Sequence, residues 1–508
     1  MMTSGRRSLL GVGLFLSLAL MGGRLAGFGR EVLLASSLGL SAEADIAIVL
    51  LTVPDLLVNL LLSGGIGVAL IPALRSATAD KAAALFLQAS LVVGVVFAAL
   101  AVLFVLVPAA WLWLLAPGML DPLRWLDGWM IYIVAIAIPM TALSGVSSAA
   151  LNAKDQFFVA GCGTLIFNLS IIGGLVFAMV EGERYLAWLC VGILCGAIVR
   201  WLSQLLALNT KRLSSEHVHA HGWLMDRHLL RGFFAGIASA SLLVLVPVAV
   251  RAGASWLGEG ELAAFNYAIK LVELPLGILI TTLATVTFPR LSEAHDRQDR
   301  GAFEALLSMS LQRSLLLSVA VMLCGFPFID AAISVLFGAG RVSAAGLQHI
   351  TILTQIALFS VPWIGISSLA AAALNARRQP GLVLRRTLII MLLLPVVCIP
   401  GLWLKEPVIL MSALPVFHMM LAIILIQAVG WRTLKADKAT SPPIFRSIAV
   451  IGAVILAGVL VDVFFLTPTE SSLSSSLSVW RLGLAGLTFA ISVTAALYTL
   501  RFPRKSVA

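Results

Sequence analysis

The sequence predicts an all-α integral membrane protein of about fourteen transmembrane helices, arranged as two parallel six-helix lobes plus two C-terminal helices. Three observations lead there: a composition that only lipid can solvate, apolar runs of spanning length that do not alternate, and a segment that occurs twice in one orientation. Of 508 residues, 60% are hydrophobic and 11% charged, with a mean hydropathy of +1.04. A soluble domain carries about 25% charged residues. This chain has too few charges to coat a surface facing water, and too much apolar sequence to stay disordered.

The apolar runs are 8–36, 46–74, 83–115, 126–150, 157–179, 185–207, 230–255, 262–289, 303–327, 346–373, 384–403, 407–429, 446–466 and 481–500. A helix needs about 20 apolar residues to cross the hydrocarbon, whereas barrel strands alternate over about ten. The first run opens like a signal peptide, with Arg6 and Arg7 before Ser8 to Met21. No small-residue cleavage site follows, and the run continues through Arg24 and Arg30, so it is expected to stay as the first helix.

Orientation follows from the basic residues. With the N-terminus in the cytoplasm, five of the 34 Lys and Arg fall outside (Arg124, Arg184, Arg341, Lys405, Arg481). Six lie within spans (Arg24, Arg30, Arg200, Arg251, Lys270, Arg313), and the other 23 fall inside. This bias predicts both termini in the cytoplasm. It also accounts for the net charge of +10 without nucleic acid. The five cysteines lie in apolar stretches without a paired spacing and read as small buried hydrophobes.

The repeat divides the chain. Pro139 to Gln156 and Pro362 to Gln379 share Pro, nine residues, then A-A-L-N-A-[K/R]-x-Q, without a gap. Each copy ends the fourth helix of a six-helix set. A weaker echo joins Ile71-Pro72-Ala73-Leu74 to Phe288-Pro289-Arg290-Leu291. The expected domains are an N-lobe (1–208), a polar cytoplasmic linker (209–228), a C-lobe (229–430), and two further helices with a cytoplasmic tail (431–508). Parallel repeats of this kind occur in secondary transporters, with the substrate path near the midplane between lobes.

Ionisable groups in the bilayer are costly, about 2.5–3.5 kcal/mol on insertion scales, so they face a cavity or a partner. The first two helices of each lobe concentrate them: Arg24, Arg30, Glu31 and Asp55, then Arg251, Lys270 and Glu273. Arg24 and Glu31 are two turns apart and share a face, and Lys270 and Glu273 share another. Four cationic and three acidic groups suit an anionic substrate, because guanidinium forks onto phosphate oxygens. Arg200 and Arg313 lie near cytoplasmic ends and read as structural, their heads reaching the interface. His217-x-His219-x-His221 reads as a solvated linker rather than a metal site. Gly64-Gly65-x-Gly67 follows no strand and reads as a helix-packing cluster. No motif for a cofactor, a metal centre or a catalytic nucleophile is present. The longest outer loop, about Phe328 to Ala345, holds one acid, Asp330, too few for a carboxylate-based transferase.

The run Gly23-Arg24-Leu25-Ala26-Gly27-Phe28-Gly29-Arg30-Glu31 resembles the first helix of the MurJ/MviN family. These are lipid II flippases of the multidrug/oligosaccharidyl-lipid/polysaccharide exporter superfamily. The likeness continues through Asp45, Val53-Pro54 and Ile71-Pro72, and resumes at Tyr267-Ala268-x-Lys270-Leu271-x-Glu273-x-Pro275. The resemblance implies an alternating-access carrier, not an enzyme, moving an undecaprenyl-pyrophosphate-linked saccharide from the inner to the outer leaflet of the bacterial cytoplasmic membrane. It implies Arg24 and Arg30 on helix 1 as essential, an acidic position at Asp45, and a basic one at Lys270 beside Glu273. The substrate-binding set is then Arg24, Arg30, Arg251 and Lys270, supported by Glu31, Asp45, Asp55 and Glu273. The family's arginine pair on helix 2 falls on Val58 and Asn59, its glutamate before the turn falls on Ser63, and the matching stretches of helices 7 and 11 hold no acid. Cargo is therefore lipid II or a related cell-wall or exopolysaccharide precursor, carried by a monomer without cofactor or nucleic acid. The competing reading is a drug or small-cation antiporter of the same superfamily. A cavity for that cargo should be rich in acids and aromatics, yet intramembrane bases outnumber acids here and Tyr numbers only four.

Overall fold

A computed structural model describes residues 4–60, 70–208, 222–277, 281–430, 444–463 and 474–499. The described residues form helices, one short 3-10 turn (Pro122–Trp125) and connecting loops, without strands. The chain packs as two compact units, Met1–Ala263 and Ala264–Ala508. That border lies downstream of the segment expected to link the lobes, of which 209–221 is outside the described residues.

The first unit holds α1 (Ser4–Leu38), α2 (Ala42–Leu60), α3 (Ile71–Ser76), α4 (Ala79–Leu106), α5 (Pro108–Leu115), α6 (Gly128–Ala153), α7 (Phe157–Glu181), α8 (Tyr185–Leu208) and α9 (Arg227–Ala254). The expected run 83–115 is two helices. Pro108 brings no N–H to continue the α4 ladder, and the backbone breaks at Val107 (φ −134°, ψ 57°). Pro54 and Pro139 instead lie inside helices that continue past them. Asp226 caps α9 by accepting from the Leu229 N–H at 2.7 Å. Along α4, Leu91, Val95, Val102 and Leu106 are exposed large apolar side chains, the surface a lipid-facing helix presents.

Helix α10 (Glu261–Pro275) begins at the border. The second unit continues with α11 (Thr281–Asp296), α12 (Arg300–Phe337), α13 (Ala344–Leu358), α14 (Val361–Ala376), α15 (Pro380–Leu404), α16 (Pro407–Met411), α17 (Ala413–Val429), α18 (Ile444–Val461) and α19 (Ser474–Thr499). Helix α12 is 38 residues long and runs through Pro327, ten residues beyond the expected end of that span. Asp330 therefore sits on a helix, not in an outer loop. Leu316, Ala320, Cys324 and Phe328 of α12 form a core with Ile451 and Ile455 of α18. Eight described helical stretches are long and apolar enough to cross a membrane, and three shorter apolar helices match further expected spans. The five cysteines are unpaired, and Cys195 is exposed on α8 rather than buried as expected.

Candidate functional site

The site begins with glycine. Gly23 and Gly27 lie one turn apart on α1 and face α7: a Cβ added at Gly23 would sit 3.3 Å from Thr164 and Leu165, and one at Gly27 would sit 3.2 Å from Asn168 Nδ2. Small residues at this spacing let two helix backbones approach closely in lipid. The approach puts Asn168 of α7 beside α1, where its Nδ2 donates to the Gly23 carbonyl at 3.1 Å. Its Oδ1 then accepts from Arg30 Nη1 at 3.0 Å.

Arg30 gathers the acids. Its Nη2 reaches Glu31 at 2.7 Å and Asp55 of α2 at 2.9 Å, and its Nη1 lies 3.5 Å from the other Asp55 oxygen. Arg30 is 3% exposed and Glu31 2%. One guanidinium thus carries two carboxylates and an amide. Two of the three acids grouped by sequence, Glu31 and Asp55, meet Arg30, and the third, Glu273, meets Lys270. Arg24, two turns from Glu31, is exposed on α1. Asn168 was missed because a lone Asn in an apolar run carries no spacing signal; only the α1–α7 contact gives it a role.

Arg200 was misread. Instead of reaching an interface it is 1% exposed within α8, and Nε, Nη1 and Nη2 all lack a hydrogen-bond partner. Its stem lies on Gly163 of α7, where an added Cβ would come 3.0 Å from Nε. One turn on, Gln204 Nε2 donates to Ser148 Oγ of α6 at 2.8 Å, while Gln204 Oε1 is unpartnered.

The other predicted residues lie apart from this cluster. Asp45, wholly buried, accepts from the backbone N–H of Gly260 and Ala263, both at 2.7 Å. It caps the turn that starts α10, a charge-complementary place at a helix N-terminus. The turn needs Gly260 at φ +82°, where a Cβ would meet the Leu40 carbonyl carbon at 2.6 Å. Arg251 Nε donates to the Pro247 carbonyl on its own helix at 3.3 Å. Lys270 pairs with Glu273 at 2.8 Å, a partly exposed bridge on one face of α10 as the spacing predicted. The side chains of Val58 and Asn59, and all of Ser63, Gly64-Gly65-x-Gly67 and His217-x-His219-x-His221, lie outside what is described.

A second charge cluster was invisible in the sequence. Arg481 of α19 forks onto Asp462, which follows α18, at 2.7 and 2.8 Å, and reaches Asp330 of α12 at 2.8 Å. The three residues are far apart in sequence, and two of them read as loop residues.

Residues 34–478 match the family described as "Lipid II flippase MurJ". The chain belongs to the MurJ family. The match takes in Asp45, Asp55, Arg200, Arg251, Lys270 and Glu273 and begins just past Glu31. A "Lipid II flippase MurJ" from Burkholderia cenocepacia is 26% identical over 365 residues, 68% of each chain. A "Probable lipid II flippase MurJ" from Treponema pallidum is 27% identical over 378 residues, 70% of this chain and 66% of that one. These alignments span about two thirds of the relatives' length. A solved MurJ structure in an inward closed conformation superposes with a TM-score of 0.79 at 19% identity, covering 96% of this chain and 99% of the other. An inward-facing multidrug MATE transporter of the MOP superfamily gives 0.66 at 12% identity, covering 82% and 94%. At these identities the likeness is one of fold. This MurJ-family chain is a multi-pass membrane protein with a transporter architecture.

Proposed function

We propose that this protein is an alternating-access flippase. It moves an undecaprenyl-pyrophosphate-linked saccharide, lipid II or a related precursor, from the inner to the outer leaflet of the bacterial cytoplasmic membrane. The observation that carries the reading is the buried Arg30 cluster in a MurJ-family fold. A carrier for a pyrophosphate lipid needs cations inside the bilayer, held ready by acids that can yield to the substrate. Arg30, with its two acids, is such a group, and Arg24 one turn and a half away is exposed to receive the same headgroup. Arg251 and Lys270 are assigned to the same task as further basic groups. Asp45 supports the site at a distance, by fixing the turn into α10.

Fourteen spans, two six-helix repeats, cytoplasmic termini and a monomeric carrier complete the proposal, on the basic-residue bias and the repeat. The test is depletion in the host, followed by assay of lipid-linked saccharides on each leaflet. An undecaprenyl-pyrophosphate-linked sugar should accumulate on the inner leaflet, and complementation by Arg24→Ala should fail at normal membrane levels. Unchanged lipid-linked pools, with altered efflux of a cationic drug instead, would put the protein with the antiporters.

A further inference from the structure

The first unit distributes its buried charge unevenly. Arg30 holds two carboxylates, Glu31 and Asp55, while Arg200 holds none. Two bases and two acids could make two neutral pairs, yet one base has both acids. An unpartnered guanidinium sealed from water is costly, and a protein keeps such a charge only where something offsets it. All three nitrogens of Arg200 are closed off from bulk solvent in this conformation, so a charged partner has to come from a neighbouring helix.

Asp55 is the group placed to come. Helix α2, which carries Asp55, packs directly against α8, which carries Arg200. The Asp55 side chain is 34% exposed, so it is not locked in as Glu31 is at 3%. Arg30 would keep Glu31 and Asn168 after losing it. Both receiving helices are close-packed on α7, through Gly27 on α1 and through Arg200 itself against Gly163. The two arginines thus stand on two helices that both pack on α7 and on the helix that carries Asp55.

We infer that Asp55 is exchanged between Arg30 and Arg200 during the transport cycle, which makes Arg200 a positioning residue whose ion pair forms in the conformation alternative to this one. The inference rests on the flippase reading in one respect: an anionic headgroup binding Arg30 displaces Asp55, and Arg200 receives it. Cargo capture on α1 then shifts α2 against α8. The device is a two-state element of the kind that couples a ligand to a helix rearrangement.

The test uses full-length protein in detergent and needs no cargo for its main arm. Arg200→Met should leave the melting temperature of the parent unchanged or higher, since it removes a charge without a partner. In an Arg30→Gln/Glu31→Gln background Asp55 has lost its pair with Arg30, and Arg200 is the buried base it can turn to. There the same Arg200→Met should lower the melting temperature by at least about 2 °C, and adding Asp55→Asn should cancel the loss. This reversal of sign is not expected of a residue that merely packs. Equal effects in both backgrounds overturn the exchange, as does destabilisation of the parent by Arg200→Met. Failure of Arg30→Gln/Glu31→Gln to fold also overturns it, because the exchange supplies Asp55 with a partner in that variant. The transport arm is separate: Arg200→Met should flip cargo at least about tenfold more slowly, and Arg200→Lys should recover part of the rate. A wild-type rate in Arg200→Met removes the exchange from the cycle. If no lipid-linked saccharide is moved by the parent itself, the flippase reading fails while the sign reversal still decides the exchange.

Discussion

Arg30 in the first unit and Arg481 in the second each gather two acids, and the two clusters differ in what surrounds them. In the second unit Arg481 uses all three guanidinium nitrogens on Asp462 and Asp330, joining α19 to α12 and to the residue after α18. No second base lies unpartnered beside it among the described residues. In the first unit Arg30 does similar work between α1, α2 and α7, but Arg200 is buried nearby with nothing to hold. The Arg481 cluster joins one base to two acids, with Asp330 Oδ1 left without a hydrogen-bond partner, and fastens α19 to α12 and to the residue after α18. The Arg30 cluster is one arrangement among at least two of the same four charges. An acid held by one base fastens helices together; an acid near a second, unpartnered base is a part placed to move.

The comparison can be broken at four points, in falling order of expected effect. Arg30→Met takes the guanidinium from buried Glu31, while Asp55 can pass to Arg200, and should cost about 3–5 kcal/mol, read as a large drop in melting temperature and membrane level. Adding Glu31→Gln should restore most of it. A full loss that Glu31→Gln does not relieve would show that Arg30 holds the helices by packing, not by charge. Arg481→Met should cost about 1–3 kcal/mol, less because that side chain is 18% exposed. Transport per folded molecule should be unaffected, and a flippase rate that falls with Arg481 would make its cluster part of the cycle. Arg200→Met should be neutral or stabilising by about 1 kcal/mol, as when a buried charge gives way to an apolar side chain, with transport lost. The smallest effect belongs to Arg378→Ala, which removes an exposed 3.0 Å bridge to Asp296 and should cost under about 1 kcal/mol in a thermal melt.

The repeat shows how far sequence reaches. The two copies of A-A-L-N-A-[K/R]-x-Q end in the same turn, one in each unit. Asp155 and Arg378 both adopt left-handed φ of +59°. Gln156 and Gln379 return their N–H to the Leu151 and Leu374 carbonyls at 2.9 Å and open the next helices. A matching string makes a matching turn because the bonds that close it lie within five residues. The tie from that turn to the neighbouring helix is not in the string. Arg75 meets Asp155 in one unit and Asp296 meets Arg378 in the other, the signs reversed.

Within the candidate site, Arg30, Glu31 and Asp55 were legible as charges in apolar helices, and Lys270 with Glu273 as a helical pair. Arg200 was equally visible but was given the wrong environment, because distance from a helix end says nothing of what packs there. Asn168, Asp330 and Arg481 acquired roles only from their neighbours.

By itself the sequence determined solvent, element type and repeat. Those depend on composition and on patterns within about 20 residues, where lipid leaves the backbone little choice but helix. The tertiary structure alone decided which charge meets which. A pairing such as Arg30 with Asn168, 138 residues away, depends on which helix faces are pressed together. It turns on distances of an ångström between side chains, and no local pattern encodes them.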